Sequence, residues 1–390
     1  MTAVAAGAPP RTRRRRLAIA FAAVVAWALY APTVEHALVW DDHVAIEGNR
    51  AVTSGDVRLI LTSPFWGPGH ADVVATWRPL ITAQWAIERA VSDSVGVNPT
   101  VVHRVGNLAA WVTLVVALAV VLDVFAFGAA ATFLALAFFF VHPALVEPVC
   151  WTVGRADLCA ATAVLLALAA LHRRRDAWVV AALAIGLLCK ESAIVGLVPL
   201  AVMAWMQWKK GARSRDAALV LAAAAALVLV AFVAARVMVL GAALGPPPSL
   251  VENPLVVVHG VARWVEGLRV VGLAMGLVAG IVAPRPDWGL GAFPVASGPA
   301  WPAIAAVGLL ALIAVASWAA RRQRTPAAAA AALALGPLLL FGQPWIDLPT
   351  ATADRLWPLL VAAASLGLAL LAQQVSDALV VGAPRAGRAG

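Results

Sequence analysis

Two adjacent acids, Asp41 and Asp42, occupy the segment Trp40-Asp41-Asp42-His43, just beyond an apolar stretch that follows Arg11-Thr12-Arg13-Arg14-Arg15-Arg16. A carboxylate at a membrane exit can take the proton of an attacking hydroxyl as a general base. If the group displaced is a phosphate, cations or hydrogen-bond donors must carry its departing charge. Arg78, Arg155, Lys190 and Arg355 are candidates for that task, guanidinium being suited to bidentate contact with phosphate oxygens. His103 and His142 are further possible donors, although a histidine like His103 serves equally well as an interfacial residue hydrogen-bonded at a helix start. Glu147 and Asp157 are of a type to hold Arg155 or His142 in place, and Glu191 to pair beside Lys190. Consecutive aspartates diverge in an extended chain, so one can face the reactants while the other orients a helix, a cation or a neighbour. Asp42 has a second use, as the N-cap of a short helix over 43–49.

Composition fixes what must position these groups. With 63% hydrophobic and 13% charged residues and a mean hydropathy of +0.89, the chain lies far outside the soluble range. An all-α polytopic membrane protein is expected. The net charge of +9 does not indicate nucleic acid, because the basic residues sit in short clusters between apolar runs. Only Lys190, Lys209 and Lys210 are lysines, which points to a GC-rich genome and fits a bacterial cytoplasmic membrane. Cys150, Cys159 and Cys189 have no metal-knuckle spacing and read as small apolar residues.

Short arginine-rich loops stay in the cytoplasm. Residues 1–16 are therefore a basic cytoplasmic terminus, and the apolar segment from Leu17 is a signal anchor rather than a cleaved leader. Residues 35–100 form a first outer loop with short amphipathic helices, and Phe65-Trp66-Gly67-Pro68-Gly69 belongs to that cover. Spans follow near 105–122, 129–142, 157–171, 177–189, 194–208, 217–239, 302–319, 327–341 and 356–372, about ten or eleven crossings in all. The membrane domain is thus 17–372, with a cytoplasmic tail over 373–390. The segment 255–283 carries His259, Arg263, Glu266 and Arg269 and reads as a re-entrant or interfacial hairpin, which leaves Arg321-Arg322-Gln323-Arg324 inside. Charges are costly at membrane depth and line polar cavities. Here those outside the cytoplasmic anchors collect at outer span ends.

The order Trp40-Asp41-Asp42 with Asn49, Arg78-Pro79-Leu80, His103 and Asn107, His142-Pro143 with Glu147, Gly154-Arg155-Ala156-Asp157-Leu158 and Lys190-Glu191-Ser192 closely resembles the membrane domain of the tetratricopeptide-linked O-mannosyltransferase-like family. That family belongs to the GT-C superfamily. Glu252-Asn253-Pro254-Leu255 and Ala353-Asp354-Arg355 extend the resemblance less specifically, and it covers about residues 38 to 365. It implies a GT-C-type helical bundle and an inverting glycosyltransferase that moves a sugar, a mannose-like hexose among the candidates, from a polyprenyl-phosphate donor to a protein, glycan or lipid hydroxyl outside the membrane. It also implies that Asp41 is the base and Asp42 its support. Asn49 and Asn107 then bind sugar hydroxyls or satisfy backbone groups, and Trp40 stacks on sugar or prenyl chain. This chain departs from the family in having Leu356-Trp357-Pro358 after the late arginine in place of a Tyr-Leu-Pro sequence, and in having no 34-residue periodicity. No metal triad is evident; a divalent cation bridging Asp42 and phosphate is possible, and no cofactor is required. The competing reading is a multispan transporter, whose ionisable groups should lie near the bilayer midplane within repeated halves.

Overall fold

The computed structural model describes residues 10–68, 75–293 and 300–382, and every regular element among them is helical. The α-helices are α1 (Pro10–Tyr30), α2 (Arg50–Ser54), α3 (Val57–Thr62), α4 (Pro79–Val95), α5 (Pro99–Val124), α6 (Ala129–Val141), α7 (Val146–Cys150), α8 (Arg155–His172), α9 (Asp176–Cys189), α10 (Leu197–Lys209), α11 (Arg215–Leu240), α12 (Gly260–Val278), α13 (Ala300–Arg321), α14 (Thr325–Phe341) and α15 (Pro358–Gly382). Among the described residues six helices are long and apolar enough to cross a membrane. A bent pair, Ala129–Val141 with Pro143–Cys150, makes a seventh candidate, and three shorter apolar helices (Ile19–Glu35, Asp176–Cys189, Thr325–Phe341) coincide with the remaining expected spans. The protein is an all-α polytopic membrane protein.

Local sequence sets the boundaries. Proline occupies the first helical position of α4, α5 and α15, where its missing N–H costs nothing. Asn98 and Ser214 cap α5 and α11 by accepting from the backbone N–H groups of Thr100 and Ala217. Gly96 and Gly241 end α4 and α11 in the left-handed conformation.

Burial orders the bundle. In α8, 78% of the span is buried, against 11% in α11 and 17% in α13. Helix α8 is therefore the centre, walled by α5 and α9, while α11 and α13 turn apolar surface outward, as lipid-facing helices do. Its 18 residues span about 27 Å, so Arg155 and His172 mark opposite ends of the bundle. The expected outer loop is built as a π-helical turn over His43–Glu47, then α2, α3 and α4, sealed on a small core of Ile46, Phe65, Trp85, Trp151 and Val153. Trp66, Trp77 and Trp85 are packed inward here and do not anchor an interface.

Two segments differ from expectation. Residues 260–278 form one uninterrupted helix in place of a hairpin. Its two flanks nevertheless join the same loop layer: Leu290 N–H donates to Val251 O at 2.9 Å, Arg263 binds Gln343 O and Asp347, and Thr350 donates to Asp287. At the other terminus α15 runs to Gly382, ten residues past the expected boundary, and the remainder of the tail lies outside the described residues.

Candidate active site

Trp40 adopts φ +49°, a left-handed turn that leads directly into a helical start at Asp41 and Asp42. The acid pair is thus helical and not extended. Its side chains diverge because successive helical residues are rotated by about 100°. Asp42 is completely buried: its Oδ1 accepts from Val153 N–H at 2.9 Å and its Oδ2 from Val39 N–H at 3.3 Å, with Arg104 Nη2 3.9 Å away. It sits at the N-terminus of the π-helical turn without capping it through its side chain. A cation bridging Asp42 to phosphate would have to reach this buried position.

Asp41 is solvent-accessible and makes no hydrogen bond or ion pair among the described residues. Enough protein surrounds it to raise its carboxyl above the ordinary aspartate value by desolvation; Arg355 and Arg78 oppose that rise and Glu252 adds to it. The two arginines that act on Asp41 are each held by a different glutamate. Arg78, the residue before α4, pairs with Glu191 through Nη2 at 3.1 Å and lies 4.8 Å over the Phe65 ring. Arg355 donates from Nη1 to Glu147 Oε1 at 2.6 Å and to Pro286 O at 3.1 Å, and its guanidinium lies 4.9 Å over Trp151. Trp40 meets Trp151 edge to face at 6.3 Å, which completes a column from the acid pair to Arg355. Lys190 donates to Asp157 at 2.5 Å and feels the charges of Arg78, Glu191 and Arg355. Arg78 and Arg355 therefore act on one free carboxylate, and the buried Lys190 lies within range of both arginines.

The remaining expected site residues build the frame. Fully buried Arg155 donates to Glu88 Oε1 at 2.5 Å, to His103 O at 2.5 Å and to Asn107 Oδ1 at 3.4 Å. His103 Nδ1 bonds the other Glu88 oxygen at 2.8 Å. Asn107 donates to Val149 O at 2.5 Å, fixing the strap over 149–153 that Asp42 also holds. Asn49 caps α2 and donates to Ala45 O and Phe65 O, so its amide is consumed internally. His142 uses both ring nitrogens, Nδ1 accepting from Ala144 N–H and Nε2 facing Val278 O at 3.1 Å. Its expected contact with phosphate would require breaking one of these bonds.

Three charged residues at this end have no counterpart in the sequence reading. Glu88 bridges His103 and Arg155. Arg104, one residue past His103, donates to the carbonyls of His36, Ala37 and Cys150 and so clamps the acid-pair segment to the strap. Arg236 reaches from α11 to Ala75 O and Ala243 O, within range of the charges on Glu191 and Arg78. A charged residue inside an apolar run was the available signal for Arg104 and Arg236. Glu88 carried none. Among the described residues no three His, Cys, Asp or Glu side chains gather as a metal site.

No family model and no solved structure matches the chain. It is similar to the protein O-mannosyl-transferase Tmtc1 of Drosophila melanogaster, 32% identical over 198 residues that make up 46% of this chain and 22% of that protein. Tmtc2 of the same organism is 30% identical over 208 residues, 49% of this chain and 22% of the relative. The chain matches about a fifth of the length of these curated relatives, and about half of its own length carries a likeness to protein O-mannosyl-transferases.

Proposed function

We propose that this protein is an inverting GT-C-type membrane glycosyltransferase, which transfers a hexose, mannose-like in kind, from a polyprenyl-phosphate sugar to an acceptor hydroxyl. The observation that carries this reading is the environment of Asp41, an accessible carboxylate without a partner between Arg78 and Arg355. The likeness to two O-mannosyl-transferases supports the reaction class. In the step proposed, Asp41 takes the hydroxyl proton as the acceptor oxygen attacks the anomeric carbon. The bond from that carbon to the phosphate oxygen breaks, and its electrons leave with the phosphate, whose charge Arg355, Arg78 and Lys190 stabilise. A single displacement inverts the anomeric centre. Trp40, two-thirds exposed at 66%, is placed to stack on the sugar or the first prenyl unit.

The acid-pair end faces outside the cytoplasmic membrane of a bacterium in this reading, because the arginine-rich loops at the other end follow the positive-inside pattern. The acceptor is a protein, glycan or lipid hydroxyl. Transport fits less well: Arg78, Lys190 and Arg355 stand at the boundaries of α4, α9 and α15 and not at mid-span. Membranes carrying Asp41→Asn, assayed with a labelled polyprenyl-phosphate sugar, test the proposal; transfer at the wild-type rate would remove Asp41 as the base.

A further inference from the structure

At the opposite end of the bundle from Asp41, the ends of α8, α10 and α14 border a cavity of about 170 Å³, lined by His172, Arg174, Met203, Met206, Gln207 and Lys210 together with Ala212 and Thr325. That is roughly ten times the space a single water needs. Its chemistry is divided. Met203 and Met206 supply a buried apolar wall, while Lys210 and Arg174 stand exposed at the rim. Lys210 donates only to neutral acceptors, Gln323 O and Thr325 Oγ1, both at 3.1 Å. Asp176, the acid near Arg174, is gripped by Arg213 through two bonds of 2.6 Å. Arg174 itself is carried at φ +59°, on a tight turn between α8 and α9. Positive charge at the rim therefore exceeds the acid available to neutralise it.

Around this end Trp178, Trp205, Trp208 and Trp318 are exposed, with Lys209 4.5 Å over Trp208 and Arg324 5.9 Å over Trp318. Exposed tryptophans beside basic residues mark the level of lipid headgroups. A cationic rim above an apolar wall at that level suits a phosphate with a hydrocarbon chain attached, and basic pockets between spans take such headgroups. We propose that this cavity binds the phosphate of an anionic membrane lipid at the Arg174 and Lys210 rim.

The full chain, purified in detergent and examined by native mass spectrometry, tests this with phosphatidylglycerol, phosphatidylcholine of the same acyl chains and inorganic phosphate as probes. The wild type should retain phosphatidylglycerol over phosphatidylcholine. The double variant Arg174→Gln, Lys210→Gln, altered only at exposed side chains, should lose that preference by roughly thirtyfold, while Arg58→Gln at the other end keeps it. Equal retention by the double variant, or equal binding of phosphatidylcholine, overturns the proposal. If millimolar inorganic phosphate displaces the lipid and raises Tm alone, the lipid assignment is overturned in favour of free phosphate.

Discussion

Glu147 holds Arg355 twice, its Oε2 accepting the backbone N–H at 2.7 Å and its Oε1 the guanidinium Nη1 at 2.6 Å. The first bond fixes the loop and the second fixes the direction of the fork, so Nε and Nη2 remain without a hydrogen bond among the described residues. A planar fork aimed in this way can take two phosphate oxygens, whereas a lysine delivers a point charge. Arg355→Lys should therefore lower kcat/KM for the polyprenyl-phosphate sugar by about 100-fold, the range for losing one oriented charged donor. Tm should move little, since the arginine is only partly buried. Wild-type kinetics in this variant would show that the fork geometry is irrelevant.

Asp41 and Asp42 should separate rate from stability. Asp41→Asn removes an accessible group with no partner, so the fold should persist while turnover falls by about 10² to 10⁴, the usual worth of a general base. Asp42→Ala strands the N–H groups of Val153 and Val39 and the nearby Arg104 in a buried setting. Each orphaned group costs about 1–3 kcal/mol, so Tm should drop sharply. Paired thermal melts and transfer assays decide the matter; two variants that lose activity and stability to the same degree would refute the division.

The architecture was legible because it follows from apolar runs: among the described residues six helices are long and apolar enough to cross, the bent pair makes a seventh, and the other three expected spans fall on shorter apolar helices. The acid pair and its arginines were legible as residue types. Their partners were not. Glu88 lies on an amphipathic helix of the first loop, and its contacts come from α5 and α8, 15 and 67 positions away, which no local pattern announces. Arg155 looks from sequence like a phosphate ligand, yet three protein acceptors surround it once α4, α5 and α8 converge. Arg263, Glu266 and Arg269 recur every three residues, which places them on one helical face and was a signal for a single helix over 260–278.

Gly106 on α5 is an unadvertised part of that buried knot. A Cβ there would lie 1.8 Å from Glu88 Oε1 and 3.0 Å from Arg155 Nη2. A free carboxylate would step aside, but this one is held by both Arg155 and His103. Gly106→Ala should therefore dislodge Glu88 and leave a buried guanidinium uncompensated, at a cost of about 3–5 kcal/mol. Gly154 offers a comparison at the strap, because its Cβ would meet Pro148 Cα at 2.7 Å and Pro148 O at 2.8 Å, backbone that cannot rotate away. Both alanine variants should express poorly or melt well below the wild type in detergent. An unshifted Tm for Gly106→Ala would mean the knot is looser than its distances indicate.

Asp354, next to Arg355 in the late loop, sets an expectation for pH. Burial pushes its carboxyl up to about 7, against the pull of an Arg285 backbone N–H and of Arg355, and Glu147 adds to the rise. One oxygen, Oδ1, is buried without a hydrogen bond in the described residues. In an unfolded chain the same group titrates near about 4. Below that value both states are protonated and the contribution to stability is fully present. As pH rises toward 7 the unfolded chain releases its proton first, so the folded state loses stability, by at most about 1.4 kcal/mol per pH unit. Above 7 the loss is complete and constant. Asp354→Asn is neutral at every pH and should match the wild type near pH 4, then exceed it in Tm at pH 8. The sign is opposite to that of a salt-bridged carboxylate, which loses stability on acidification. Melts of both proteins across pH 4 to 8 measure the difference directly, and a gap that stays constant over that window would place the ionisation of Asp354 outside it.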